Sequence, residues 1–420
     1  MSDSTLSAGT APAAAAVSPA STASANNTTF AVILSLSFCH LLNDMMQSLV
    51  PALYPILKEN YALSFGQIGL ITLAFQCTAS MLQPLVGLYT DKKPQPYSLM
   101  VGMGFTLIGL LMMSRADTYP LILIAAALIG MGSSIFHPEA SRVARMAAGG
   151  RYGLAQSLFQ VGGNMGSAAG PLLAAFIVVP AGQQSIVWFS AAALVAMLVL
   201  FQVGGWYSRR RTAQRPAARK AAAAGAVPVL SRRRVGIAIA ILVALLFSKN
   251  VYSASLGSYF TFYLMTKFGV GVATAQLYLF AFLVGIVGGT IAGGMVGDKV
   301  GRIPVMWFSI LGALPFALML PYANLFWTGV LAVTVAMIMA SAFSAILVYA
   351  QELLPGRVGL VAGMFFGFSF GLGGLGAAAL GQIADWTSIE TVYKATPFLL
   401  LLGGLTAFLP RQPGEPKNSH

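Results

Sequence analysis

The sequence predicts an all-α membrane protein of twelve transmembrane helices, arranged as two pseudo-symmetric six-helix bundles. Three observations carry that prediction. Of the 420 residues 57% are apolar and only 8% charged, with a mean hydropathy of +0.78. A soluble chain carries about 25% charged residues, so here lipid must be the solvent. Second, windows matching the ~20 apolar residues that cross a bilayer recur along the chain. Third, two motifs repeat at nearly one offset: "GLYTD" (Gly87 to Asp91) returns as "GMVGD" (Gly294 to Asp298), and "GRYGLA" (Gly150 to Ala155) as "GRVGLV" (Gly356 to Val361). Such duplication belongs to transporters that rock two halves about a midplane site.

The windows lie near 31–57, 66–90, 97–115, 119–141, 153–180 and 186–207, then near 235–265, 273–297, 303–321, 325–351, 358–384 and 389–409. Pro, Gly and charge punctuate them, as in "DKKPQP", "RADTYP" and "GDKVGR". The expected organisation is a disordered tail at 1–29, a first bundle at 30–207, a basic linker at 208–234, a second bundle at 235–410 and a tail at 411–420. Residues 1–29 hold no Lys or Arg and no apolar core, unlike a signal peptide. With both termini cytoplasmic, 19 of the 24 Lys and Arg fall inside and four outside, which fixes the expected orientation. A bacterial-type inner membrane is the expected location, and nothing requires more than a monomer.

The net charge of +13 does not indicate nucleic acid, because nine of the basic residues lie between Arg209 and Arg234, beside the membrane surface. Cys39 and Cys77 both sit in apolar segments with no metal spacing. No Walker sequence is present, and the Gly-x-Gly pairs lie within spans, so neither ATP nor a dinucleotide is expected. An enzyme is not expected, nor any cofactor; the proton gradient is the expected energy source.

"GGMVGDKVGRIPVM" resembles the loop between the second and third helices of each half in the major facilitator superfamily. The resemblance implies a conformational latch in which the Asp caps and pairs across to a neighbouring helix and the Arg locks the cytoplasmic side. It maps onto Gly294, Asp298, Gly301 and Arg302. The first half keeps Gly87 and Asp91, while "KKPQPY" lacks the Gly and Arg. In the fifth span, "GNMGSAAGPLL" is similar to the antiporter motif of drug exporters, through Gly166, Gly170 and Pro171. "HLLNDMMQSLVPALYP", "SSIFHPEASRVARMAAGGRYGLAQSLFQVGGN" and "SAFSAILVYAQELLPGRVGL" look like the fosmidomycin-resistance exporters, over nearly all of 30–410. That resemblance implies proton-driven export of a small phosphonate antibiotic, and of other drugs.

Polar residues within the spans nominate the site, since ionisable groups in a membrane are costly and functional by default. Asp44 lies midway along the first span, with His40 one turn before it and Asn43 and Gln47 flanking. A carboxyl beside an imidazole can pass a proton near neutral pH; a helix–helix hydrogen bond is the structural alternative. "FHPEASR" forms a second cluster, in which His137 and Glu139 lie on different faces, Pro138 weakens the helix, and Glu139 has Arg142 three residues on as an alternative structural partner. Glu352 is expected to pair with Arg357. Lys249 aligns through the repeat with Asn43, so it is expected to face Asp44 across the midplane, either in a salt bridge or released for a drug anion when Asp44 takes a proton. Lysine suits a phosphonate; Tyr252, Ser253 and Tyr259 follow on a similar face. Gln156, Gln160 and Asn164 form a row of amides on the fifth span, and Gln76 and Gln83 a weaker pair on the second.

The leading functional expectation is a proton-coupled exporter of anionic phosphonates. The same fold running inward, taking up an organic anion or phosphate ester with protons, is the alternative. A sensor or lipid-handling protein would need an output domain, for which the termini and the 208–234 loop are too short.

Overall fold

In the computed structural model, residues 28–63, 65–223 and 230–410 are described. Eleven helices among them are long and apolar enough to span a membrane. In the first half these are α1 (Phe30–Ala52), α2 (Leu70–Lys92), α3 (Ser98–Arg115), α4 (Tyr119–Ala147) and, after α5, α6 (Phe189–Ala223). In the second they are α7 (Arg232–Phe268), α8 (Val272–Val300), α9 (Arg302–Tyr322), α10 (Leu325–Leu353), α11 (Val358–Trp386) and α12 (Ile389–Phe408). The twelfth rod is α5 (Tyr152–Leu173), which carries the amide row and continues through a π-helical turn at Ala174–Val178. Helix is the expected answer in lipid, where each backbone N–H and C=O must find its partner inside its own segment. Large apolar side chains such as Leu34, Phe38, Leu198 and Phe280 stay exposed on the outer faces, where hydrocarbon would meet them.

Two expected boundaries change, and one expected weak point stays helical. Thr28 Oγ1 and Thr29 N donate to the carbonyls of Ala148 and Ala147, at 2.8 Å each, so these two residues are docked on the end of α4 rather than part of a tail. The linker expected at 208–234 is largely helix, because α6 runs on to Ala223 and α7 begins at Arg232, where Ser231 Oγ accepts from Arg234 N. Ala- and Arg-rich sequence is helix-forming, and only 224–229 fall outside the described residues there. Pro138 does not break α4: it lies inside a helix of 29 residues whose neighbours hold it. Residues 1–27 of the first tail and the whole tail at 411–420 lie outside the described residues.

Small residues set how closely the helices approach. A Cβ on Gly162, Gly166 or Gly170 of α5 would strike the backbone of α1 at Ser37, Leu41 or Met45. Glycine at these positions therefore lets two backbones touch, the general device for packing helices where lipid supplies no hydrophobic drive. The antiporter-like motif thus begins as a packing seam, and Gly163 beside it gives the His40 ring its space. Across the two halves, Gly87 of α2 meets the backbone of Gly359 of α11, and Gly153 of α5 meets Gly294 of α8. These contacts sit at the basic-loop end of the bundle. Farther from it, a Cβ on Gly371, Gly373 or Gly374 of α11 would meet nothing within 4 Å. The halves meet closely at the basic-loop end.

Gly166→Val should therefore force α1 and α5 apart and cost about 1–3 kcal/mol. The check is thermal unfolding in detergent beside Gly236→Val, a position with nothing within 4 Å. The first variant should melt several degrees lower and the second with the wild type.

Candidate functional site

Asp44 stands at the centre of a buried triad. His40 Nε2 is 3.4 Å from its Oδ2 and His137 Nε2 is 3.6 Å from its Oδ1. The two Nε2 atoms lie 3.2 Å apart. Thus α4 delivers His137 to the α1 pair, and the second sequence cluster is split: Glu139, two residues on, turns to the opposite side. Each ring is anchored through its other nitrogen. His40 Nδ1 is 2.7 Å from the carbonyl of Phe159, and His137 Nδ1 is 3.0 Å from that of Ser133. A carbonyl oxygen only accepts, so His40 Nδ1 carries hydrogen and its Nε2 holds a lone pair, whereas His137 Nδ1 meets both the carbonyl and the hydroxyl of Ser133, at 3.0 and 3.2 Å, and donates to the first or accepts from the second. When it donates, two Nε2 lone pairs face each other at 3.2 Å, an arrangement that a cation between them stabilises and whose charge the Asp44 carboxylate balances. Asn43 and Gln47 donate to Asp44 Oδ1 at 3.0 and 3.3 Å, and Ser167 Oγ to Oδ2 at 3.5 Å. Phe159 stacks on His40 at 4.1 Å, and Phe366 and Phe370 flank His137.

Lys249 does not face Asp44. Among the described residues it has no carboxylate within ion-pair distance, and its Nζ sits 5.6 Å from the ring centre of Phe343. It lines a cavity of about 210 Å³ with Gln160, Asn164, Ser253, Thr290 and Ser369. Asp44 and Gln47 instead line a second cavity of about 190 Å³, which Gln76 and Ser167 also border. Phe370 of α11 belongs to the walls of both. The repeat alignment predicted a facing pair, but Asp44 is already held by imidazoles of its own half and an aromatic ring separates the two chambers.

The other nominated residues divide in the same way. Tyr252 is fully buried, and Tyr259 donates its hydroxyl to the carbonyl of Ala377 at 2.6 Å; neither lines the Lys249 cavity. Asn43 is buried beside Asp44 rather than open to a chamber. Gln156 leaves the amide row: it accepts from Ser141 Oγ at 3.0 Å, and Ser141 accepts from Gln351 of α10 at 3.1 Å. Gln160 and Asn164 keep the cavity face, where Asn164 donates to Thr290 Oγ1 of α8 at 3.3 Å. Gln83 is buried and bonds to its own helix at Ala79. Thr290, Ser369, Phe343 and Phe370 were absent from the sequence reading. Hydroxyls and rings in apolar spans carry no signal until a neighbouring helix fixes which way they point.

At the basic-loop end, two carboxylates bind helix N-termini of the opposite half. Asp91 accepts from the amides of Gly359 and Leu360 at 3.0 and 2.8 Å, and Asp298 from those of Gly153 and Leu154 at 2.9 and 2.8 Å. Four orphan N–H groups are satisfied, and each negative charge meets the positive end of a helix dipole. Arg302 holds Asp298 at 2.7 Å. In the first half the missing loop Arg is replaced by Arg142 of α4, which reaches Asp91 at 2.5 Å and also pairs with Glu139 at 3.0 Å. Glu139 accepts from Ser98 as well. Gly301 has φ 96°, a left-handed turn that brings Arg302 back over α8. Glu352 lies 3.8 Å from Arg302 rather than pairing with Arg357, because the turn swings Arg302 under α10.

The model of the Major Facilitator Superfamily matches residues 36–378. The chain belongs to the major facilitator superfamily. Among superfamily relatives, it is 58% identical over 383 residues to the Fosmidomycin resistance protein of Escherichia coli (strain K12), covering 91% of this chain and 93% of that one. It is 39% identical over 384 residues to the Uncharacterized MFS-type transporter YfnC of Bacillus subtilis (strain 168), covering 91% and 93%. Among solved structures, the superfamily transporter FucP in the outward conformation superposes with a TM-score of 0.69 at 16% identity, over 91% of this chain and 99% of that one. The proton:xylose symporter XylE gives 0.68 at 14%, over 91% and 96%. At those identities the two structures share the fold. The chain is thus a multi-pass superfamily transporter.

Removing the Asp91 carboxylate strips two caps and takes from Arg142 one of its two ion-pair partners, leaving Glu139 and the oxygens of Thr90 and Gly87. Losing one partner of a buried pair costs about 3–5 kcal/mol. In Asp91→Ala, spin labels on the α2 and α11 ends should report a longer and broader distance than in wild type; an unchanged distribution would mean the caps do not hold the halves together.

Proposed function

We propose that this protein is a proton-coupled efflux transporter that exports small anionic phosphonates of the fosmidomycin type by alternating access. The observation that carries the substrate class is Lys249. A lone ammonium in a membrane span costs roughly 2.5–3.5 kcal/mol on insertion scales. Here it opens on a largely apolar cavity to which Gln160, Asn164, Ser253, Thr290 and Ser369 add amides and hydroxyls, with no acidic partner among the described residues. An anion that enters supplies the missing charge, and Gln160, Asn164 and Ser253 supply donors for its remaining oxygens. At about 210 Å³ the chamber is below the ~300 Å³ common for drug-sized ligands, which suits a compact polar anion. The 58% relative named for fosmidomycin resistance supports the same reading.

The triad is the proton's place. A proton taken up between the facing Nε2 atoms of His40 and His137 has the Asp44 carboxylate beside it as counter-charge. Helix α5 links this site to the drug chamber. Its Gly163 and Ser167 lie against the triad, while Gln160 and Asn164 project into the Lys249 cavity. A small displacement of α5 on anion binding therefore bears directly on the proton site. We assign Asp91, Asp298, Arg302, Arg142 and Glu139 to the latch that holds the basic-loop ends together, and Gly87 and Gly301 to the close approach and turn it needs. With those loops cytoplasmic in an inner membrane, their closure corresponds to an outward-facing state. Inward transport of an organic anion or phosphate ester would use the same chambers; the export direction rests on the relative.

Two measurements test the reading. Lys249→Met should abolish export of fosmidomycin from everted vesicles while protein level and fold are kept; undiminished export would remove Lys249 from the site. Adding fosmidomycin to purified wild type in detergent should release a proton, and Asp44→Asn should release none. Equal release by both would move the coupling elsewhere, and no release at any pH would favour the inward reading.

A further inference from the structure

The facing imidazoles have a geometry that a proton alone does not demand. Tetrahedral zinc binds imidazole nitrogen at about 2.0–2.1 Å and carboxylate oxygen at about 2.0–2.2 Å, which places neighbouring ligand atoms roughly 3.3–3.5 Å apart. The two Nε2 atoms lie 3.2 Å apart, His40 Nε2 is 3.4 Å from Asp44 Oδ2 and His137 Nε2 is 3.6 Å from the other oxygen, Oδ1; one ligand atom from each of the three residues lies within 4.8 Å of the other two. The imidazole pair supplies one tetrahedral edge and the carboxylate the third corner. We propose that His40, His137 and Asp44 bind a divalent first-row metal ion of the zinc class, which takes the place of the proton between the two imidazoles.

Four further features support it. Each Nδ1 has a backbone carbonyl within reach, Phe159 for His40 and Ser133 for His137, the usual second partner of a metal-ligating histidine, and donation to both turns the two Nε2 lone pairs toward one another. The Asp44 carboxylate is itself oriented by Asn43 and Gln47. Two imidazoles and one carboxylate favour zinc, cobalt or nickel over magnesium or calcium, which prefer oxygen alone. Finally, Asp44 borders the second cavity, so an ion has an entry path and the fourth coordination position is left to water. Three protein ligands and one open position describe an exchangeable site rather than a closed structural one. A bound ion would tie α1 to α4 and exclude the proton, so it would act as an inhibitor of any proton-coupled cycle.

The test uses cobalt(II) alone as the probe, added to the full-length protein in detergent, and reads binding rather than transport. Its failure would therefore leave the proton reading standing. One equivalent per chain should bring up the intense visible absorption of tetrahedral cobalt. His40→Ala and Asp44→Asn should each weaken binding at least tenfold, and Asn43→Ala about tenfold by releasing the carboxylate that it orients. A Cys39→Ser/Cys77→Ser variant should bind as wild type does. On that background His137→Cys should keep the ion and add a thiolate-to-metal charge-transfer band, which misfolded protein would not show. Absence of saturable absorption, an octahedral spectrum, or equal binding by the His40 and Asp44 variants would overturn the proposal.

Discussion

Carboxylate capping of helix N-termini across the two halves is the interaction on which this arrangement depends. Asp91 and Asp298 each satisfy two amides that their own half cannot reach. In a bilayer those amides have few other partners near the membrane end, and each unsatisfied group would cost several kcal/mol. The caps fix α11 against α2 and α5 against α8, and glycine at each crossing lets the backbones come close enough for the bonds to form. Everything farther along the spans, including both chambers, inherits its spacing from these two contacts.

Charge placement follows the same logic. The two arginines that neutralise the capping carboxylates come from different places in the two halves, Arg302 from the loop itself and Arg142 from α4. The duplication therefore preserved the electrostatic requirement while moving the residue that meets it. By contrast the midplane departs from symmetry altogether. The first half holds a balanced triad of Asp44, His40 and His137, and the second a lone Lys249. One half places two imidazoles against a carboxylate and the other an ammonium among amides, hydroxyls and rings. Helix α5 touches both, through glycines on one face and amides on the other.

Much of the site was legible in the sequence, and the errors are instructive. Asp44 and Lys249 stood out because a charge in an apolar span has a cost that composition alone reveals. His40 followed from one-turn spacing. His137 and Glu139 were legible as lying on different faces of one helix, but which partner each face meets was not: His137 reaches Asp44 and Glu139 reaches Arg142. The Lys249–Asp44 pairing failed for a related reason. Equal depth along symmetric spans does not make two side chains meet when Phe370 stands between the chambers and nearer imidazoles already hold the carboxylate. Tyr252, Tyr259 and Gln156 shared a helical stripe with cavity residues, yet each found a buried neighbour.

The sequence by itself determined the solvent, the helix count, the duplication and which charged residues lie within the spans. These follow from hydropathy and from the length of a bilayer crossing, properties that belong to each segment alone. Only the tertiary structure decided which charges meet, because pairing depends on the rotation of each helix about its axis and on the depth at which glycines let neighbours touch. Those are properties of pairs of helices, and no single segment encodes them.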